Sequence, residues 1–203
     1  MKENHFEHYY TRKPTSRIEV KEVKLRLKNG NSYRFLSPNG VFSYGKIDKA
    51  SLLLIENAII GEKDRVLDLG CGYGVIGITI KKENPDITLF MSDINERAVK
   101  YAKMNARDNN ILAEIRQGNL YDPWSENEFD TILCNPPMAA GKKIWQSIIH
   151  KAPLFLATGG KLEIVAFHNK GGARLEKMMK EVFGNVRTMI KSGGIRVYVS
   201  IKF

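Results

Sequence analysis

Asn135-Pro136-Pro137 is the tripeptide in this chain whose residue types could act directly on a substrate. The two prolines stiffen the backbone and remove N–H donors, so an amide and a row of carbonyl oxygens remain as acceptors. An acceptor-rich corner suits one kind of substrate group, an NH2. A second constellation lies upstream in RVLDLGCGYGVIG, residues 65–77, where Asp68 is followed by Gly70, Gly72 and Gly74 at every second position. Glycines so spaced let a backbone turn tightly and approach a bound molecule without Cβ atoms in the way. Asp93 follows about 20 residues beyond the glycines, a spacing that suits an acid holding ribose hydroxyls.

These residues must be positioned by particular elements. Val66, Leu67 and Leu69 read as a buried parallel strand, and Val75, Ile76, Ile78 and Ile80 as the helix that the glycine loop opens. Its N-terminus favours a carboxylate or phosphate. A regular β/α alternation follows: strands at Ile87–Asp93, Ala113–Gly118, Phe129–Cys134 and Lys161–Phe167, with helices at Glu96–Asp108, Lys142–Ala157 and Ala173–Phe183. The pattern predicts a parallel sheet covered on both faces. Two last strands, Val186–Lys191 and Arg196–Lys202, joined through Ser192-Gly193-Gly194, form an antiparallel hairpin. In such a sheet ligands sit outside the carboxyl ends of the strands, so Asp68, Asp93 and Asn135 all aim at one crevice.

Ahead of this core, Val23, Leu25 and Leu27 alternate with cations, Asn29-Gly30 supplies a turn, and Tyr33–Leu36 returns as a second strand. Met1–Arg17, with Tyr9, Tyr10, Arg12 and Lys13, reads as a polar lead, either a disordered arm or a nucleic-acid contact, with disorder the default. The expected organisation is one domain over residues 1–203: a lead at 1–17, a hairpin extension at 18–39 and a catalytic core at 40–203. Gly40–Lys46 precedes a helix starting near Asp48, with Leu52, Leu53, Ile55 and Ile59 as its buried side.

Composition narrows the function classes. The chain has 203 residues, 43% of them hydrophobic, enough for one sizeable core. Cys71 and Cys134 lack the spacing of a metal site or disulfide scaffold and read as small buried thiols. The N-terminus has no apolar leader and no stretch matches a membrane span, so a cytoplasmic protein without membrane or metal partners is expected. The four histidines, His5, His8, His150 and His168, pair with no nucleophile or metal-ligand pattern; Trp124 and Trp145 read as packing residues.

Charge is asymmetric within a formal net of +10. Residues 1–34 carry 9 Lys/Arg against 4 Asp/Glu, residues 140–203 carry 12 against 3, and residues 35–139 carry 11 against 15. Basic flanks around an acidic centre suit a polyanion such as RNA, although solvated lysine-rich helices would give the same count. Lys142 and Lys143 either touch phosphate or begin a helix.

The glycine loop alone leaves two cofactors open. Gly72, Gly74 and Gly77 spell the dinucleotide fingerprint GxGxxG, with Asp93 as the ribose acid of an NAD-dependent oxidoreductase. The other frame, Asp68-x-Gly70-x-Gly72-x-Gly74, resembles the first motif of class I S-adenosylmethionine-dependent methyltransferases. VLDLGCGYG, SDIN, NPP and the terminal hairpin together resemble the members that modify amino groups. GVFSYGKIDKAS is most similar to the small-domain relatives of RsmC-type ribosomal RNA guanine-N2 methyltransferases, including archaeal single-domain homologues, and the likeness covers residues 20–203. It implies a Rossmann-like α/β fold, a seven-stranded mostly parallel sheet ordered 3-2-1-4-5-7-6 with strand seven antiparallel.

The resemblance also implies roles. Gly70, Cys71, Gly72 and Gly74 would hold the methionine part of S-adenosyl-L-methionine, with Asp68 fixing the loop and the amino group. Asp93 would take the ribose, Ile94 the adenine, and Asn119, beside Leu120, the adenine amine where relatives commonly have aspartate. Phe42 belongs to a segment that closes over the cofactor. Asn135, Pro136 and Pro137 would be catalytic, acting on guanine N2 of ribosomal RNA or in a ribosomal subunit. Met138 stands where adenine-N6 and glutamine methyltransferases carry an aromatic residue; these targets are the alternatives, and a non-catalytic RNA-binding module is the alternative from another class.

Overall fold

Nine strands and five helices were located in a computed structural model, which describes residues 11–124, 129–138 and 141–203. The predicted Tyr9 and Tyr10 contacts, with His5 and His8, lie outside the described residues. β1 (Val20–Arg26) and β2 (Ser32–Pro38) form an antiparallel hairpin. Its turn spans Leu27–Asn31, with Gly30 at φ +93°. α1 (Lys49–Ile55) precedes β3 (Arg65–Leu69), α2 (Val75–Glu83), β4 (Thr88–Asp93), α3 (Glu96–Asp108) and β5 (Glu114–Gln117). Then follow β6 (Phe129–Cys134), α4 (Lys142–Phe155), β7 (Leu156–Phe167), α5 (Gly172–Phe183), β8 (Arg187–Ser192) and β9 (Ile195–Ile201).

The large sheet runs β5-β4-β3-β6-β7-β9-β8. Counted from β3 as strand one, this is the expected 3-2-1-4-5-7-6. β3 pairs in parallel with both β4 and β6, whereas β9 pairs antiparallel with β7 and β8. Gly193 and Gly194, both at positive φ, turn β8 into β9 as a two-residue hairpin needs. Alternate residues feed opposite faces. Val66, Leu89, Met91 and Val165 join a core with α1, α2, α3 and the hairpin residues Leu25 and Phe35. Leu67, Leu69, Phe90 and Ile164 join a second core with α4, α5, Trp124 and Trp145.

Buried amides hold the N-terminal hairpin to the core. Asn105 of α3 accepts from the Leu36 N–H and donates to the Leu36 and Tyr73 carbonyls, and Asn95 donates to the Gly40 carbonyl. Residues 40–46 are fastened again by Tyr73 Oη to the Lys46 carbonyl, 3.0 Å, and by the Gly45 N–H to Ser37 Oγ, 2.9 Å. The crevice wall is therefore set by side chains of the core.

Several expectations need correction. The end of the polar lead is ordered: Arg97, itself buried, donates to Ser16 Oγ, to the Ser16 and Pro14 carbonyls and to Asn39, while the Arg12 carbonyl accepts from the Glu96 N–H. One guanidinium with five donors satisfies the carbonyls of a strand-less segment and pins it. α1 stops at Ile55, so Ile59 lies beyond it and is exposed, and Leu54 takes the buried position that Leu52 was expected to hold. β7 begins at Leu156, five residues early, because α4 hands directly into the sheet through Pro153-Leu154-Phe155.

Candidate active site

The carboxyl ends of β3, β4, β5 and β6 open on a cavity of about 320 Å³. Gly70, Cys71, Gly72, Asp93, Ile94, Asn119, Leu120, Asn135, Pro136, Pro137 and Phe42 all line it. Asp68 and Gly74 do not. Asp68 lies beneath the loop, fully buried, with Oδ2 accepting the Gly77 N–H at 2.8 Å. Gly74 caps α2 at φ +93°, and a Cβ there would come 2.7 Å from Ile78 Cδ1. Gly77 is a packing glycine: its Cβ would meet Met91 Sδ at 2.8 Å.

The loop is held by its own strand ends. Gly70 and Cys71 donate N–H to the Ser92 carbonyl, and Gly72 donates to Asp93 Oδ2 at 2.9 Å. Asp93 Oδ1 accepts from the Asn95 N–H at 2.8 Å. Backbone N–H groups thus hold both Asp93 oxygens, Gly72 on Oδ2 and Asn95 on Oδ1, with the Ile94 N–H a third donor to the carboxylate. Gly70 and Gly72 sit at φ +74° and +56°, which other residues reach only with strain, and a Cβ at Gly70 would meet nothing within 4 Å, so space is open beside the backbone. Leu120, at φ +51°, is the one non-glycine lining residue besides Ser43 held in the left-handed region, among the described residues.

Burial raises the carboxyl of Asp68 to about 7; the Gly77 N–H opposes this and Asp93 adds to it. Burial also raises Asp93, against the N–H groups of Asn95, Gly72 and Ile94. Cys71 and Cys134 are buried and pushed upward by desolvation and by the two aspartates, so they are thiols and not nucleophilic thiolates. Asp48 and Asp93 line the cavity and, among the described residues, no Lys or Arg does. Such a lining suits a ligand carrying positive charge better than a pyrophosphate.

Asn135 is oriented by two residues that sequence reading assigned no site role. Its Nδ2 donates to Asp48 Oδ2 at 2.9 Å and to Ser51 Oγ at 3.0 Å. The Ser51 hydroxyl in turn donates to Asp48 Oδ2, and the Ser51 N–H caps α1 on the same oxygen at 2.8 Å. Asp48 can only accept, so the amide nitrogen of Asn135 must face it and Asn135 Oδ1 remains an acceptor. Asp48 is visible in sequence as a helix cap. Its contact 87 positions away is not.

Leu69, Val75, Ile76, Ile144 and Ile148 give the cavity apolar walls. Cofactor sites are commonly concave, largely apolar and dotted with a few placed polar groups, as here. Asp93 on the cavity wall and the open glycine backbone fit a nucleoside-bearing cation. His150 is exposed, and His168 Nδ1 lies 2.8 Å from Tyr198 Oη.

Known proteins resemble this chain over nearly all of its length. It is 37% identical over 191 residues to YbxB of Bacillus subtilis, covering 93% of this chain and 94% of that one. It is 33% identical over 184 residues to ribosomal RNA small subunit methyltransferase C of Psychromonas ingrahamii, covering 88% of this chain and 51% of that one. Among solved structures, a Thermus thermophilus 16S rRNA N2 G1207 methyltransferase, RsmC, in complex with S-adenosylmethionine and guanosine, superposes with a TM-score of 0.79 at 25% identity, over 93% of this chain and 51% of that one. The chain spans about half the length of these ribosomal RNA methyltransferases. Residues 32–199 match the family described as Methyltransferase small domain, and with the glycine loop, Asp93 and the NPP corner facing one cavity, the chain belongs to that family.

Proposed function

We propose that this chain is an S-adenosylmethionine-dependent N-methyltransferase acting on an exocyclic amine, guanine N2 of ribosomal RNA. The observation that carries the amine is the Asn135 network, which presents Oδ1 as an acceptor beside a proline pair without N–H donors, whose Pro136 carbonyl accepts the Met138 N–H at 2.8 Å and has a second lone pair. Guanine is favoured by the relative solved with guanosine and by Met138, whose side chain lines a neighbouring depression instead of the cavity, leaving no aromatic face after the prolines.

In this reading Asp93 accepts from the ribose hydroxyls, and Asn119 Oδ1 accepts from the adenine amine. Gly70 and Gly72 let the backbone approach the methionine part, and Asp68 keeps the loop in shape from below. S-adenosylmethionine, when bound, supplies a methyl group already activated on a sulfonium. The protein's task is then to place the attacking nitrogen and exclude water. Asn135 Oδ1 and the Pro136 carbonyl accept from the two N–H groups of the amine, which orients it and raises electron density on a nitrogen whose lone pair is delocalised into the ring. No strong base is needed, because the proton can leave after transfer.

S-adenosylhomocysteine should raise the melting temperature while NADH leaves it unchanged, since a ligand stabilises the fold it binds. A shift with NADH alone would overturn the cofactor. Asn135→Ala should abolish most turnover and leave S-adenosylhomocysteine affinity within a few-fold; near-normal turnover would reduce Asn135 to a turn residue.

A further inference from the structure

Beside the cavity lies a second depression of about 480 Å³, lined by Met138, Lys142, Trp145, His168, Asn169, Lys170, Gly171, Ala173 and Arg174. Its chemistry is the reverse of the first. Three cations line it and, among the described residues, no carboxylate does. Lys142, Lys170 and Arg174 are exposed, and none of them forms an ion pair with an acid among the described residues. Glu176, the acid of the neighbouring cluster, faces Arg196 at 3.9 Å and His168 at 4.0 Å instead.

The two hollows share walls. α4 turns Ile144 and Ile148 toward the first and Lys142 and Trp145 toward the second, and the chain passes from Pro137 in one to Met138 in the other. Within the second, Met138 packs closely on Gly171, where a Cβ would stand 2.5 Å from Met138 Cε. The second depression thus adjoins the wall that carries Asn135, one residue past the proline pair.

We propose that this depression holds the phosphodiester backbone of the RNA strand beside the target nucleotide, with Lys142, Lys170 and Arg174 as its contacts. The inference rests on the RNA reading above. A base placed among acceptors in an acidic cavity drags its phosphates along, and those phosphates need cations that the first cavity lacks. Unpaired Lys and Arg at its edge supply them, and phosphate contacts fix register without reading sequence.

The test is fluorescence anisotropy of the full chain, saturated with S-adenosylhomocysteine, against a labelled single-stranded 12-nucleotide RNA containing guanosine, over a series of salt concentrations. Each phosphate contact contributes roughly 0.7 to the log–log slope for a single strand, so the triple reversal K142E, K170E and R174E should flatten it by about 2 and weaken binding at least ten-fold. The control reversal K24E, K100E and K103E changes net charge equally at exposed sites outside both hollows. It should keep the wild-type slope, and both variants should keep wild-type S-adenosylhomocysteine affinity. Equal losses in both variants would mean diffuse attraction and overturn the site. Wild-type binding by the triple variant would overturn it too. If the wild-type chain itself shows no salt-dependent RNA binding, the RNA reading falls and takes this site with it, a result distinct from the other two.

Discussion

Replacing Asp48 with serine separates two tasks that one carboxylate performs. Asp48 Oδ2 caps α1 through the Ser51 N–H, accepts the Ser51 hydroxyl, and accepts Asn135 Nδ2. Serine is a good N-cap and preserves the first task, but it is shorter, uncharged and unable to hold Asn135. A hydrogen bond to a charged group is worth roughly 1.5–3 kcal/mol, and each factor of ten in rate corresponds to about 1.4 kcal/mol. Losing it also frees the Ser51 hydroxyl to donate or accept, so nothing then distinguishes the oxygen from the nitrogen of the Asn135 amide. Asp48→Ser should therefore lower kcat/KM for the amine substrate about 10- to 100-fold, with the dissociation constant of S-adenosylhomocysteine within about three-fold of wild type. Asp48→Ala should show the same loss of rate plus about 1 kcal/mol of stability from the missing cap. Steady-state methyl transfer, calorimetric cofactor titration and thermal melts read these quantities. Normal turnover by a folded Asp48→Ser protein would refute the orienting role, and a ten-fold loss of cofactor affinity with turnover spared would place Asp48 on the cofactor instead.

Other perturbations should separate further parts of the site. Asp93→Ala removes the anchor of the Gly72 N–H together with the proposed ribose acceptors, so S-adenosylhomocysteine affinity should fall by at least the roughly ten-fold expected of one charge-assisted bond; unchanged affinity would contradict the assignment. Asn119→Asp should hold or modestly tighten cofactor binding, since a carboxylate accepts more strongly from an amine, and a marked loss would exclude contact with the adenine amine. Glu163 is buried outside the cavity, with Oε1 on the Ile59 N–H and Oε2 unpartnered; burial raises it to about 7, while the Ile59 N–H and Lys161 oppose the rise and Asp64 adds to it. A raised carboxylate stabilises the fold below the unfolded value near 4.5, and that contribution is lost as pH climbs to about 7. Glu163→Gln should accordingly add up to about 3 kcal/mol at pH 8 and nothing near pH 4, with part of the slope left to Asp68, which is also raised to about 7. A gain independent of pH would contradict this origin.

The parts of the site legible in sequence are those in which one short segment both folds and functions. Gly70 and Gly72 declare a loop because few other residues occupy their φ, and the apolar strand before them fixes where the loop opens. NPP declares an acceptor corner because proline removes donors wherever it stands. Alternation implied a parallel sheet covered on both faces, and the strand order came from the resemblance alone. What remained hidden depends on distant partners. Asp48 satisfied the local pattern of a cap, so nothing in the pattern asked for Asn135. Nothing in the helical pattern of 96–108 singles out Arg97, yet its buried guanidinium donates to carbonyls of residues that composition alone would leave loose. Ile59 was misplaced because periodicity continues past Ile55, where the backbone leaves the helix. The second depression was half visible: Lys142 stood out beside NPP, whereas Arg174 of α5 and Lys170 of the turn before it join it only through the packing of α5 on α4.

The central claim is that this chain moves a methyl group from S-adenosylmethionine to guanine N2 in ribosomal RNA. Its most direct test is incubation of the purified chain with methyl-labelled S-adenosylmethionine and undermethylated ribosomal subunits, followed by digestion and nucleoside mass spectrometry. The account predicts label in N2-methylguanosine, lost with Asn135→Ala while cofactor affinity stays within a few-fold. Label in N6-methyladenosine or in protein glutamine would contradict the guanine assignment, and transfer that persists unchanged in Asn135→Ala would contradict the mechanism.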